Sequence, residues 1–209
     1  MRMRFRIAWF GLLLAGAWIV ALAADFQWNW RDQQALGRMD PSVGNTSKLT
    51  EPERAELISA IALRLEKPMS DAGYDSDRIR EIASTTRLRF VDLGDGKPLI
   101  FASAITLEAG CDALVNCPFW IFRHTDDGYI AVVDAVAASY TLQPAGAGAL
   151  SDLVLMHHVS AKEGRLTLYK YADGKYVESG CYTATWPATK DSETQDPTIS
   201  PCSSAEPGK

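Results

Sequence analysis

The sequence predicts an α+β fold that is mainly β: two four-stranded antiparallel meanders, blade-like, preceded by one or two N-terminal helices. Three observations predict it. Apolar residues recur at helical spacing within residues 50–84. From Arg87 onward, strand-length apolar runs alternate with Gly/Asp turn signals. The same order of strands and turns then occurs twice in succession.

Taken in order, the chain opens with Arg2, Arg4 and Arg6, followed by an apolar run from Ile7 to Val20 and the small-residue site Ala21-Leu22-Ala23. This is the pattern of a secretory signal peptide, residues 1–23, cleaved after Ala23. The competing reading is an uncleaved anchor, but the run is short for a bilayer. A chain so processed keeps no stable membrane anchor and is periplasmic or secreted. Residues 24–48 carry Trp28 and Trp30 without a steady period and read as an extended lead-in packed on the body. One β-rich domain is expected over 49–186, helical over 49–85 and β over 87–182.

Thr50-Glu51-Pro52-Glu53 is a helix start, with Thr50 as N-cap and Glu53 reaching back. Leu57, Ile58, Ile61 and Leu65 share one face, and Lys67-Pro68 is expected to end the helix. A shorter helix is predicted over Asp77–Ser84, with Ile79 and Ile82 inward. The predicted strands are Leu88–Val91, Leu99–Ile105, Phe119–His124, Tyr129–Asp134, Ser139–Leu142, Leu153–Ser160, Leu166–Tyr171 and Tyr176–Cys181. Each turn between them holds the Gly or Asp that a tight reversal favours. Residues 187–209 are rich in Ser, Thr, Pro and Asp and read as a flexible tail.

The four cysteines, Cys111, Cys117, Cys181 and Cys202, all lie after the signal. An even count in an exported chain points to disulfides. Proximity pairs Cys111 with Cys117, and elimination pairs Cys181 with Cys202. A zinc site competes, but there is no CxxC pair and the histidines are scattered. The formal net charge is −5, and the signal takes three arginines with it, so nucleic acid and anionic membrane are disfavoured as partners.

"VDLGDGKPLIF" and "GALSDLVLMHHVSAKEGRLTLYKYADGKYV" resemble degenerate FG-GAP/VCBS-type blade repeats. Asp92, Gly94, Asp95 and Gly96 match part of that family's acidic loop, with one residue lost. The resemblance covers roughly 88–181 and implies propeller-like strand order. Two blades do not close a propeller, so it implies that the meanders pack on each other, on the helices or on another subunit. The chain is also similar to small exported bacterial proteins that share "GC…NCPFWIFR" and "LYKYADGKY", a resemblance that implies no reaction.

Asp92 and Asp95 are weak candidates for calcium; the other reading is a turn whose Asp side chains bond their own backbone. No other cofactor is indicated. No G-x-S-x-G elbow is present, and paired cysteines leave no thiol nucleophile. Asp126-Asp127 reads as a solvated hairpin tip. Trp120, Arg123, His124, Tyr169, Lys170 and Tyr171 form a candidate binding surface, since aromatic and basic residues of this kind are enriched at interfaces. The alternative for the aromatics is core packing. The reading is therefore a binding or interaction module, with a protein or envelope component as partner. Two alternatives stay open. One is an envelope hydrolase between the meanders, which requires His124, His158 and Asp134 to converge. The other is a lysozyme-inhibitor-like protein, since Ser179, Gly180 and Tyr182 in "ESGCY" resemble the loop of those inhibitors.

Overall fold

The computed structural model describes residues 26–92, 98–143, 151–188 and 195–202, with Asp40 described by its backbone alone. The expected signal peptide lies outside these residues, as does Asp95 with its two flanking glycines. Among the described residues, two α-helices, α1 (Glu51–Asp71) and α2 (Ser76–Thr85), accompany eleven strands. The strands are β1 (Gln34–Ala35), β2 (Asp40–Ser42), β3 (Arg87–Val91), β4 (Leu99–Ser103), β5 (Cys117–Thr125), β6 (Gly128–Ala137), β7 (Ser139–Gln143), β8 (Asp152–Ser160), β9 (Glu163–Ala172), β10 (Lys175–Thr185) and β11 (Thr198–Pro201).

The mainly-β expectation stands, with two antiparallel sheets and two helices. Four-stranded meanders are inexact. The sheets have five strands, in the order β2-β3-β4-β5-β6, and six, in the order β1-β7-β8-β9-β10-β11. The extra strands come from segments without a strand pattern. β1 and β2 arise in the lead-in, whose two halves join different sheets. β11 arises in the tail expected to be flexible, where Thr198–Pro201 pairs with Tyr182–Thr185. Main-chain pairing asks nothing of hydrophobic alternation, so such short edges leave little trace in sequence.

Helix α1 starts as expected: the Glu53 carboxylate accepts from both the N–H and the hydroxyl of Thr50, at 2.8 and 2.7 Å. It does not stop at Pro68. A proline removes only its own bond to the carbonyl four residues back. One more turn follows because Met69 is buried at 3 % exposure and a Schellman closure ends the helix. In that closure Tyr74 N–H donates to Met69 O and Gly73 N–H to Ser70 O, with Gly73 at φ +91°. Helix α2 is capped by Asp75, whose side chain accepts from Arg78 N–H.

Three apolar layers follow from strand alternation. Ile100, Ala102, Trp120 and Phe122 meet Leu57, Ile61, Leu65 and Ile82 beneath the helices. Phe101, Phe119 and Ile121 point the other way, against Tyr140, Leu153 and Leu155 of the six-stranded sheet. The outer face of that sheet, with Val154, Met156 and Leu166, is covered by Trp28, Phe26 and Trp186. The order is therefore helices, sheet, sheet, aromatic strap. The β9–β10 turn places Asp173 and Gly174 at φ +51° and +82°, a two-residue reversal whose twist matches the strands.

A candidate binding groove

The six residues of the expected binding surface do not share one face. Trp120 is 2 % exposed and packs under the helices. His124 sits on the same face, exposed, with Nε2 3.9 Å from Glu56 Oε2. Arg123, Tyr169 and Tyr171 lie toward the space between the sheets. There the Arg123 guanidinium stands 5.2 Å from the Tyr171 ring centroid, a cation–π contact linking the two sheets. Lys170 is exposed, with the register of the opposite face. Within the set, Arg123 and Tyr171 are brought into contact.

His124, His158 and Asp134 do not converge. Asp134 lies opposite Trp120 in the β5–β6 ladder, whereas His124 lies opposite Tyr129, about 13 Å further along. Asp134 pairs with Arg64 at 3.3 Å. His158 is in the other sheet, where its N–H donates to Asn116 Oδ1 at 2.7 Å. "ESGCY" is not a protruding loop either. It lies within β10, flanked by β9 and, at Tyr182, by β11; Ser179 is the extra residue of a bulge and donates to Leu168 O. Of the two weak calcium candidates, Asp92 lines a cleft of about 390 Å³ beside Arg89, and Asp95 falls outside the described residues.

Cysteine pairing follows the expectation: Cys111–Cys117 and Cys181–Cys202, with Cα separations of 4.0 and 5.4 Å. The first bridge closes a loop built around Asp112. Its carboxylate accepts from the N–H groups of Leu114 and Asn116 and from Asn116 Nδ2. These donors, the Asn116 side chain foremost, hold Asp112 below the usual carboxylate range. Asn116 is fully buried and also donates to His158 O at 2.9 Å. The disulfide loop is thus bolted to β8 in the opposite sheet.

The shoulders of that loop wall a groove of about 580 Å³. Its floor is Trp120 and Leu65. One side is the last turns of α1, through Pro68 and Met69. The other is Leu107–Gly110 with Pro118, and Asp134–Val136 of β6 close the end. Pro68 leaves the Arg64 carbonyl without its helical donor beside this space. The rim carries both signs: Arg64 with Asp134, and Glu108 held by Arg78 Nε and Nη2 at 2.9 and 2.8 Å. β6 ends its sheet, so among the described residues no strand covers its outer edge. A bulge at Val132 interrupts that edge.

A second polar cluster lies at the start of α1. Burial, then the charges of Glu53 and Glu56, push the Tyr129 hydroxyl up to about 12. It therefore stays protonated, which suits packing rather than nucleophilic chemistry.

Sequence reading missed the groove. Leu107 and Val136 were the available signal: one is an apolar residue in a turn-rich stretch, the other an outward β-branched residue. No family model, no curated protein and no solved structure matches this chain.

Proposed function

We propose that this protein is an exported, non-catalytic binding module whose site is the groove between α1, β6 and the Cys111–Cys117 loop. One observation carries the reading: an apolar, roomy concavity is framed by groups fixed in place. A disulfide and the buried Asn116 clamp hold one wall, and a capped helix holds another. Such fixing lowers the ordering cost of association. Its chemistry suits an apolar side chain presented by a protein, with rim charges setting orientation. An acid–base mechanism finds no support in the separated positions of His124, His158 and Asp134.

The test is affinity capture of envelope proteins on the oxidised chain, beside the variant Ala72→Trp. Ala72 is exposed and lines the groove, so a tryptophan there plugs the space without entering the core. A protein held by the parent chain and lost by the plugged variant is the expected result. Equal retention on both would move the site elsewhere.

A further inference from the structure

We infer that the occupant of this groove is an extended peptide segment of another protein, which adds as a strand to the open edge of β6 and drops an apolar side chain into the groove; this rests on the groove being the binding site. The first argument is the phase of the β5–β6 ladder. Ala104 N–H donates to the Pro118 carbonyl, so the main chain of Pro118 is turned toward β4. Val136 stands directly opposite Pro118 on the other side, and the two form a non-hydrogen-bonded pair. The N–H and C=O of Val136 therefore point away from β5, and with a period of two so do those of Asp134. Both residues line the groove. β6 ends its sheet, and among the described residues no strand meets these groups.

The second argument is how the sheet edges differ. Among the described residues, the edge strands β1, β2 and β11 are two, three and four residues long, and β2 and β11 carry Pro41 and Pro201. Short edges and edge prolines resist pairing with another chain. The fourth edge, β6, is ten residues long and has no proline. Its bulge at Val132 interrupts pairing short of the groove. Beyond the bulge, residues 133–137 keep a regular register, and the one charge among them, on Asp134, is already paired with Arg64. The pairable half of the edge is the half beside the groove.

Groove and edge together select a strand. Successive side chains of a strand alternate between faces. Those of an incoming strand that lie on the Trp120 side of the sheet enter the space bounded by Val136, Pro68 and Met69. In this mode of peptide recognition the main-chain bonds to the edge give affinity, and the pocket for an alternate side chain gives specificity. A docked helix has its main-chain groups paired internally, so it leaves the outward N–H and C=O of Asp134 and Val136 without partners.

The probe is a phage-displayed library of random peptides, about seven residues long, selected on the oxidised chain. Binding of the selected peptides is measured to the parent, Val136→Pro and Ala72→Trp. Proline at position 136 removes an outward N–H and no bond of the β5–β6 ladder. Circular dichroism checks that each variant folds. Each peptide is also made with one or the other set of alternate main-chain nitrogens methylated, which tests the strand without altering the protein. The dissociation constant is expected to rise about tenfold or more in both variants and for one methylated set. Exchange of the Asp134 and Val136 amide hydrogens is expected to slow in the complex. Peptides lost by Ala72→Trp but held equally by Val136→Pro, or tolerant of both methylated sets, overturn the strand and keep the groove as the site. Peptides that Ala72→Trp retains overturn both. A library that yields no binder overturns the inference, and the groove is then judged by the capture experiment alone. A parent chain that forms a dimer dissolved by Val136→Pro gives the edge to a second copy, which also overturns it.

Discussion

The five-stranded and six-stranded sheets are covered on their outer faces by different means. The first lies under α1 and α2, whose apolar residues recur at a helical period and fill the space above Trp120 and Phe122. The second lies under an irregular strap. Trp28 is 7 % exposed there and donates from Nε1 to the buried Thr141 hydroxyl at 3.2 Å. The strap is tied down at Trp30, which donates to Asp196 Oδ1 at 2.8 Å, and at Arg31, which pairs with the same carboxylate. Asp196 lies just before β11, and the Cys181–Cys202 bridge fastens that edge covalently. A helix supplies its own main-chain bonds and needs only one apolar stripe. A strap makes few such bonds of its own, so side-chain hydrogen bonds, an ion pair and a disulfide supply the fastening.

Five predictions break or sharpen this contrast. Trp120→Ala empties the floor beneath α1 and is expected to cost about 4 kcal/mol, read from chemical denaturation. A loss under about 1 kcal/mol would mean that the helices collapse onto the gap and that the cover is not close-packed. Replacing Cys181 and Cys202 together by serine releases the tail from the six-stranded sheet. The bridge spans 21 residues, and its loss is expected to cost about 3 kcal/mol. Hydrogen exchange should then rise first at β11 and around Trp28 while β5 stays protected; uniform exposure would show the two covers to be one cooperative unit.

Asn116→Ala removes the bolt between the disulfide loop and β8, leaving the His158 N–H without its partner. About 2 kcal/mol is expected. Trp28→Phe keeps an aromatic ring, though a smaller one, and deletes the bond to Thr141, for about 1 kcal/mol. If the two thermal midpoints fall equally, the bolt between the sheets matters no more than one strap contact.

The smallest effect is a pH dependence. Burial first, and the neighbouring His157 second, lower the His158 pKa from its ordinary 6.5. The unfolded chain therefore takes up that proton before the folded one does. The stabilisation is complete above pH 6.5, declines as pH falls through 6.5, and levels off below the folded pKa. His158→Gln should flatten this segment of the curve, and NMR titration should show His158 protonating later than a free imidazole.

Much of the fold was legible in the sequence because it rests on local chemistry. The α1 start is written in Thr50 and Glu53, whereas the α2 cap at Asp75 lies two residues before the expected start at Asp77. The hairpin after β9 is written in Asp173-Gly174, and eight strands in apolar runs bounded by turn residues. Cysteine pairing followed from spacing within a short loop. The functional surface was less legible. Strand alternation sets Trp120 and His124 on the face of β5 opposite Arg123, and Tyr169 and Tyr171 on one face of β9, so the six residues grouped as one surface were already divisible. It could not say that both faces of β5 are covered.

By itself, then, the sequence determined the helices, the eight central strands, the β5–β6 and β9–β10 turns and the disulfides. Each depends on residues close in the chain or on a hydrophobic period. The β8–β9 reversal, by contrast, falls at Ala161-Lys162 rather than at Glu163-Gly164. Only the tertiary structure decided that the lead-in supplies an edge to each sheet and that β11 closes the six-stranded one. It alone decided that Asn116 grips β8, and that α1, β6 and the disulfide loop leave a groove between them. Such features arise where segments distant in sequence meet, and main-chain pairing and the space between packed elements carry no signature in any one segment.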